Sequence, residues 1–334
     1  MSLIFCDGFD DGLFASKWTG SSGGTIVAGK NGNGVRINSV TPISKIFAPA
    51  YEHATLIVGF AIKFTAVPSS GLTDILQFRS DATASQHEVL SINGFSQLVA
   101  QRFGTSSVGP VVNVALNNWY YIEMKVTLSD TVGVIEWRLD GNVMYSSTSG
   151  DTKNNGTKTV FDSIQFGGTS TLSYVIDDLY VCNGAGSTNN NFLGAIAIES
   201  LLPDNNGNSS QFVGSDADSV DNYLLVDEAV PNTSDYVESA TVGNKDTYSF
   251  ADLVRTTGNV LAVVPTIYAD KSDAATRTAK LIARSSGTEG LSDTKSLSIG
   301  WNAFSYPFDQ DPNGNISWTI SSTNAAEFGF QVDS

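Results

Sequence analysis

The chain has 334 residues, of which 41% are hydrophobic and 16% are charged, and its formal net charge is −16. This composition supplies enough apolar residues for packed cores and excludes a disordered chain, and the length predicts two domains. The negative charge opposes binding to nucleic acids and anionic membranes, and no apolar run approaches the ~20 residues of a membrane span.

The first 182 residues are predicted to form many short strands, separated by turns rich in Gly, Ser and Asn. Residues 55–64 (TLIVGFAIKF) predict a buried strand. Residues 120–128 (YYIEMKVTL) alternate with period two, which predicts one apolar face and one polar face with Glu123 towards solvent. Residues 134–145 (VIEWRLDGNVMY) contain an Asp-Gly hairpin signal. Regular short strands of this kind indicate a sandwich or barrel.

Residues 183–191 (NGAGSTNNN) contain no large apolar residue, which is typical of a connection between domains. We therefore predict a first domain at 1–183, a linker at 184–192 and a second domain at 193–334. In the second domain, residues 195–202 (AIAIESLL) predict an opening strand. The predicted fold class is all-β, with a sandwich followed by a smaller β-sandwich.

The two cysteines, Cys6 and Cys182, fall in the first and last predicted strands of the first domain. Terminal strands of sandwiches often pair, so the two residues could be neighbours. The alternatives are a disulfide and two buried thiols in a reducing compartment. The opening residues lack the basic region of a signal peptide, which predicts synthesis in a cytoplasm.

Catalytic motifs were sought and not found. His53 and His87 lie in no metal-binding or nucleophile-activating motif, and the sequence has no Gly-x-Ser-x-Gly elbow and no phosphate-binding P-loop. Glycoside hydrolysis needs only two carboxyl groups, but Glu123 and Glu136 fit solvent-facing strand positions. The sequence therefore predicts a protein without enzymatic activity.

Calcium is the one cofactor that the sequence suggests, and the first candidate site joins Asp7 and Asp10 to Asp177 and Asp178. If the terminal strands pair, these carboxylates converge, and a cation would relieve their repulsion. The alternative is that one aspartate caps a turn and the others face water.

A second candidate calcium site consists of Asp309, Asp311 and Asn313, within the sequence DQDPNGN. This sequence matches the opening of an EF-hand loop, but Ile320 stands where the bidentate glutamate belongs. Asp, Pro, Asn and Gly are also common turn residues, so a plain turn is the alternative.

Four segments of the first domain carry a resemblance to a known fold. They are residues 6–12 (CDGFDDG), 118–123 (NWYYIE), 133–145 (GVIEWRLDGNVMY) and 174–181 (YVIDDLYV). In this order they resemble concanavalin A-like, laminin G-like (LamG) jelly-roll domains. The resemblance implies a jelly-roll sandwich and leaves the function open. The Glu-x-Asp-x-x-Glu arrangement of the related sandwich glucanases is absent, so no catalytic residue is carried over.

The remaining chain resembles a module of tailed-bacteriophage virion proteins. The similar segments are residues 186–194 (GSTNNNFLG), 199–204 (ESLLPD), 226–228 (VDE), 236–250 (YVESATVGNKDTYSF) and 277–288 (RTAKLIARSSGT). This resemblance implies a structural protein of a phage particle, made in the host cytoplasm and located in the virion.

The leading functional hypothesis is therefore a capsid decoration or tail-associated subunit that acts through protein–protein assembly. Its expected partners are other virion proteins and copies of itself in a trimer or another symmetric oligomer. The alternative is a carbohydrate-binding protein that recognises a host-surface glycan, and a glycosidase is the third hypothesis. The hypotheses include no nucleic acid partner and no membrane insertion.

Overall fold

The computed structural model describes residues 2–80, 85–102, 106–153 and 158–334. The chain divides into two compact units. The first unit contains Ser2–Asp10 and Trp18–Ile198, and the second contains Asp11–Lys17 and Glu199–Ser334. The division after Ile198 lies beyond the linker predicted at 184–192, and residues 193–198 belong to the first unit.

The first unit is built from short strands and one 3-10 turn at Pro49–Tyr51. In chain order the strands are β1 (Leu3–Asp7), β2 (Gly24–Ala28), β3 (Asn33–Ile37), β4 (Ile43–Ile46), β5 (Thr55–Ala66), β6 (Leu72–Ser80), β7 (Ser85–Asn93), β8 (Gln97–Arg102), β9 (Ser106–Asn113), β10 (Trp119–Thr127), β11 (Val134–Leu139), β12 (Asn142–Ser147), β13 (Ser163–Phe166) and β14 (Ser173–Cys182).

These strands form two antiparallel sheets. The eight-stranded sheet has the order β12-β11-β10-β5-β14-β3-β2, with β1 also paired to β14, and the six-stranded sheet has the order β4-β13-β6-β7-β8-β9. Their inner faces are apolar, and the rings of Phe60 and Phe166, one from each sheet, lie 5.0 Å apart. The predicted all-β fold of the jelly-roll sandwich type is confirmed.

The second unit is also mainly β. Its elements are α1 (Phe14–Lys17), β15 (Pro203–Ser210), β16 (Val213–Gly214), a 3-10 turn (Asn222–Leu225), β17 (Val237–Glu238), β18 (Lys245–Phe250), β19 (Thr266–Ala269), β20 (Thr278–Ser285), β21 (Thr288–Leu291), β22 (Lys295–Ser296), β23 (Asn302–Ser305), α2 (Ile320–Asn324) and β24 (Glu327–Val332). The main sheet has the order β15-β18-β24-β20-β21, with β22 on β20. Its core includes Phe308, Trp318 and Phe328.

The strand predicted at residues 195–202 is wrong. No strand forms there, and β15 begins at Pro203 in a polar stretch that the sequence does not mark as a strand. The backbone N–H groups of Gly194 and Ile198 donate to side chains of the first unit instead of to a neighbouring strand. The apolar composition of residues 195–202 therefore does not indicate a strand. The polar segment that follows does form one, because backbone hydrogen bonds to β18 hold β15 at the edge of the sheet.

Both cysteines are thiols. Strands β1 and β14 pair as expected, but Cys6 lies opposite Tyr180 and Cys182 lies opposite Leu3. The register therefore supports the second of the two alternatives, two thiols without a disulfide. None of the described helices is long and apolar enough to span a membrane.

Candidate functional site

The predicted calcium ligand Asp7 is a buried turn residue. Its Oδ1 accepts a hydrogen bond from Phe9 N at 2.9 Å, and its Oδ2 accepts one from Trp18 Nε1 at 2.8 Å. Phe9 has a φ of 62°, so the Asp7 side chain supports a left-handed residue that ends β1. Both oxygens are therefore used to fix the chain.

Asp177 holds the hairpin between β2 and β3. Its Oδ2 accepts from Lys30 N at 2.7 Å and from Asn31 N at 2.9 Å, while its Oδ1 accepts from Asp178 N at 2.7 Å. Burial raises the pKa of Asp177 to about 7, and the charge of Asp178 adds to this, while the three N–H donors oppose it.

The other two predicted ligands also accept from N–H groups. Asp10 Oδ1 accepts from Asn33 N at 2.7 Å, and the buried Asp178 accepts from Ile198 N at 2.8 Å and from Asn31 Nδ2 at 2.7 Å. Across the described residues, no three or more His, Cys, Asp or Glu side chains are grouped to hold a metal ion. Calcium at these four aspartates stays a prediction that the geometry does not support.

The segment containing Asp309, Asp311 and Asn313 forms a turn. Buried Asp311 accepts from Ser285 Oγ at 3.0 Å and from Asn313 N at 2.8 Å, and its own N–H donates to Ile316 O at 2.8 Å. The structure therefore agrees with the turn alternative. Asp309 and Asp311 belong to no group of three or more His, Cys, Asp or Glu side chains that could hold a metal ion among the described residues.

The prediction that Glu123 faces solvent is wrong. Its side chain is buried, and its Oε1 accepts from the Tyr180 hydroxyl at 2.5 Å and from Gly194 N at 2.8 Å. The alternation of β10 is as predicted, but the outer face of its sheet is covered. A segment that begins at the end of the predicted linker lies across this face.

This segment, the strap (residues 191–198), is held at successive points across the eight-stranded sheet. Leu193 N donates to the Tyr180 hydroxyl at 3.1 Å, and Ile198 N donates to Asp178 at 2.8 Å. At its start, the guanidinium of Arg138 lies 4.0 Å from the centre of the Phe192 ring. Burial raises the pKa of Tyr180, and the adjacent charge of Glu123 adds to this, so the hydroxyl remains a donor.

The outer face of the six-stranded sheet carries a different set of polar side chains. The strand register places Gln77 opposite Gln165 and Val89, Val89 opposite Gln101, Asp74 opposite Ser91, and Arg79 opposite Gln86. We call these residues the polar face: Asp74, Gln77, Arg79, Gln86, Ser91, Gln101 and Gln165.

Hydrogen bonds between side chains connect the polar face. The Asp74 carboxylate accepts from Gln77 Nε2 at 2.9 Å, from Gln86 Nε2 at 3.3 Å and from Ser91 Oγ at 2.8 Å. The Ser91 hydroxyl also lies 2.9 Å from Gln101 Oε1. The partners are side chains of three neighbouring strands, so the network can rearrange without moving the backbone.

Arg79 extends this network towards β13. Its Nη1 donates to Gln77 Oε1 at 2.5 Å. Partial burial lowers the pKa of Arg79, while the negative charges of Asp74 and Asp162 raise it. The sequence does not reveal these residues, because irregular pairing between Asp74 and Leu76 breaks the period-two pattern of β6, and a second irregularity, between Gln86 and Val89, breaks that of β7.

A buried acid at the far end of the same sheet also escaped the sequence analysis. Glu88 is fully buried, and neither of its carboxyl oxygens has a hydrogen-bond partner among the residues that the structure describes. Burial raises the pKa of Glu88 to about 9, which Arg102 opposes and Asp151 reinforces. Arg102 Nε lies 3.8 Å from Glu88 Oε1, a distance too long for a hydrogen bond. With a pKa of about 9, Glu88 is a neutral acid at pH 7 and forms no ion pair with Arg102.

No known family matches the sequence, and no curated protein matches it either. Similar solved structures include a mutant alginate lyase, Aly36B, bound to an alginate trisaccharide, with 9% identity, a TM-score of 0.34, and coverage of 44% of this chain and 80% of that one. A cellulose-induced protein, Cip1, has 15% identity, a TM-score of 0.42, and coverage of 57% and 100%.

The sialidase of Trypanosoma rangeli is similar over 45% of this chain and 25% of its own, with 16% identity and a TM-score of 0.34. These identities and TM-scores are too low to indicate a ligand or a reaction. The function is therefore argued from the residues of this chain alone.

Proposed function

We propose that this protein binds carbohydrate on the polar face of its six-stranded sheet. The observation that carries the proposal is the continuous network of amide, guanidinium, hydroxyl and carboxylate groups linked through Asp74, Gln77 and Ser91. Sugar hydroxyls are both donors and acceptors, and glutamine amides offer both functions on one side chain. Strands hold such groups at fixed spacing, which favours recognition of a rigid ligand.

The arrangement favours binding over hydrolysis. A glycosidase needs one carboxyl group as acid and a second as base or nucleophile. The Asp74 carboxylate of this face accepts from three side chains, and Asp162, the residue before β13, accepts from Ser163 Oγ at 2.7 Å. Both acids are thus engaged in holding their neighbours. The proposal is therefore a binding protein.

Calorimetric titration with a panel of soluble oligosaccharides tests this proposal. We expect binding by the wild type, and a loss of about tenfold or more when the half-buried Gln77 and Gln86 are both changed to alanine, since each removes an amide that can bond to the ligand. Asn142→Ala, at an exposed position of β12 in the other sheet, is the matched control and should bind as the wild type does. Equal binding by the double variant would place the site elsewhere.

A role in the phage virion is a second proposal, and its support is the sequence resemblance of residues 199–204, 236–250 and 277–288. A glycan-binding unit and an assembly unit are compatible in one virion protein, and repeated copies would add avidity. Quantitative mass spectrometry of purified particles tests the proposal. A copy number near that of the coat protein would favour capsid decoration, a small number would favour the tail, and absence would contradict the proposal.

A further inference from the structure

We infer that the polar face selects neutral glycans over glycans that carry carboxylates. This inference rests on the proposed function and specifies its ligand class. The first observation is the charge around Arg79, the one cation in the network of described residues. The Arg79 guanidinium donates to Gln77, whose amide donates to the Asp74 carboxylate, and the backbone N–H of Asp162 donates to the carbonyl of Arg79 at 3.2 Å. Two carboxylates therefore accompany one guanidinium, and the local charge is already slightly negative.

An acidic sugar would therefore meet repulsion where it needs a cation. A uronate approaching Arg79 must compete with Gln77 Oε1, which already accepts from Nη1 at 2.5 Å. It would also come close to the Asp74 carboxylate, which lies beside Gln77 and accepts from its amide at 2.9 Å. Like charges at short range in a partly buried place are strongly unfavourable. The net charge of −16 adds a repulsion at longer range.

A second row of neutral groups lies further along the same face. Asn93 Nδ2 donates to Gln97 Oε1 at 2.9 Å, and Gln97 Nε2 donates to Asn113 Oδ1 at 3.1 Å. This row lies on the same side of the sheet as Asp74. Asn93 pairs with Leu72 and Ser91 pairs with Asp74, and side chains two residues apart in a strand share a face. The amides of Gln97 and Gln101 are four residues apart in β8, about 13 Å, which suits an oligosaccharide.

Apolar groups for the C–H faces of sugar rings lie at the same end of the sheet. Leu72 of β6 is 43% exposed, and Phe95, in the turn between β7 and β8, is 84% exposed. Large exposed apolar side chains beside amide groups match a neutral pyranose, which combines apolar C–H faces with polar hydroxyl groups. Neither side chain offers a charge to an acidic sugar.

Calorimetric titration with matched oligosaccharides tests the inference. Neutral hexasaccharides of glucose, mannose and galactose are compared with hexasaccharides of alginate and polygalacturonate, at about 50 and 300 mM salt to vary the Debye length. We expect at least one neutral ligand to bind about tenfold or more tightly than either uronate ligand. The difference in affinity between neutral and uronate ligands should become smaller at the higher salt concentration.

Charge-removing variants sharpen the same test. The double variant Asp74→Asn, Asp162→Asn keeps side-chain size and removes both carboxylates near Arg79. The affinity for the uronate ligands should therefore rise about tenfold. The matched control is Glu136→Gln on β11 of the other sheet, which should leave the ratio unchanged. Circular dichroism checks that each variant is folded.

The outcomes separate the two proposals. Preferential binding of uronates by the wild type, or an unchanged ratio in the double variant, would overturn the neutral-glycan inference and leave carbohydrate binding intact. If no saccharide of either class binds, the proposed function itself is wrong.

Discussion

The two outer faces of the first unit both carry acidic and amide side chains, yet they satisfy them in different ways. On the eight-stranded sheet, Glu123 and Asp178 accept hydrogen bonds from the backbone of the strap at Gly194 and Ile198. On the six-stranded sheet, Asp74 accepts hydrogen bonds from the side chains of Gln77, Gln86 and Ser91. The first face is covered by a segment of its own chain, and the second is connected through bonds between side chains.

The difference shows that a polar residue on a strand does not by itself indicate a binding site. A carboxylate that accepts from the backbone fixes the path of the chain, so its removal lowers the free energy of unfolding. A carboxylate that accepts from mobile side chains can exchange those partners for ligand groups at small cost. A third kind of acid accepts neither from the backbone nor from side chains among the described residues.

Glu88 is that third case, and Glu88→Gln should have the largest effect. The carboxyl pKa is about 9 in the fold, against an unperturbed 4.5. Between these values the unfolded chain releases a proton that the folded chain keeps, so the free energy of unfolding falls as pH rises, by about 1.4 kcal/mol per pH unit. Glutamine mimics the neutral acid and does not titrate, so the variant should be more stable at pH 7 by on the order of 3 kcal/mol.

Urea unfolding of both proteins from pH 4 to pH 9 measures this effect. Asp177, with a pKa of about 7 raised from 3.8, gives a slope of the same sign that ends near neutral pH. The wild type should therefore keep losing stability between pH 7 and pH 9 through Glu88, after the contribution of Asp177 has ended. Glu88→Gln should lack the Glu88 contribution over its whole range, from about pH 4.5 to pH 9, and keep that of Asp177. At pH 4 the two proteins should be equally stable. A variant that is less stable than the wild type at pH 8 would show that Glu88 is ionised in the fold.

Gly59→Val tests how the closed face is built. Gly59 of β5 lies under the Tyr180 ring, and a Cβ atom there would meet ring carbon Cε1 at 2.1 Å. Valine must push the ring away, which should lower the free energy of unfolding by about 3 kcal/mol. Thr65→Ala, at an exposed position of the same strand, is the control and should cost less than about 1 kcal/mol. An unchanged urea midpoint for Gly59→Val would mean that the Tyr180 ring does not lie across β5.

The sheet that contains Gly59 is largely predictable from sequence, because β5 and β10 show uniform apolar runs or strict alternation. The Asp-Gly hairpin after β11 was also predictable from local turn chemistry. The covering of Glu123 was not, because the strap is an irregular segment whose bonds join residues 71 positions apart. Its apolar residues read as a strand, since composition carries no information about which surface a segment will lie on.

The polar face was hidden for a different reason. Irregular pairing after Asp74 in β6, and between Gln86 and Val89 in β7, shifts the alternation, so the polar residues of these strands do not stand at every second position. The aspartates chosen as calcium ligands illustrate the converse. Asp7 and Asp177 do lie near the paired strands β1 and β14, but turns and hairpins supply N–H donors that a sequence cannot place.

Glu123→Ala should open the closed face at moderate cost. The change leaves the Tyr180 hydroxyl and Gly194 N without their acceptor, which should lower the free energy of unfolding by about 2 kcal/mol. Hydrogen exchange should quicken at the amides of Leu193, Gly194 and Ile198, because the strap loses a central attachment. Asn142→Ala, at an exposed position of β12 in the same sheet, is the control. Unchanged exchange in the strap would show that Glu123 does not hold it.

Gln77→Ala should have the smallest effect on stability and a larger one on binding. Its amide donates to Asp74 and accepts from Arg79, and both partners are side chains that can find water or each other. The free energy of unfolding should therefore change by less than about 1 kcal/mol, well below the cost of Glu123→Ala. Binding of a neutral oligosaccharide should weaken about threefold to tenfold.

Urea unfolding and calorimetric titration on the same preparation separate these two quantities. If Gln77→Ala costs as much stability as Glu123→Ala, the polar face is structural in the same sense as the strap-covered face, and the contrast between the sheets fails. If stability is kept and affinity falls, the side chains that link the polar face to each other are also those that a glycan engages.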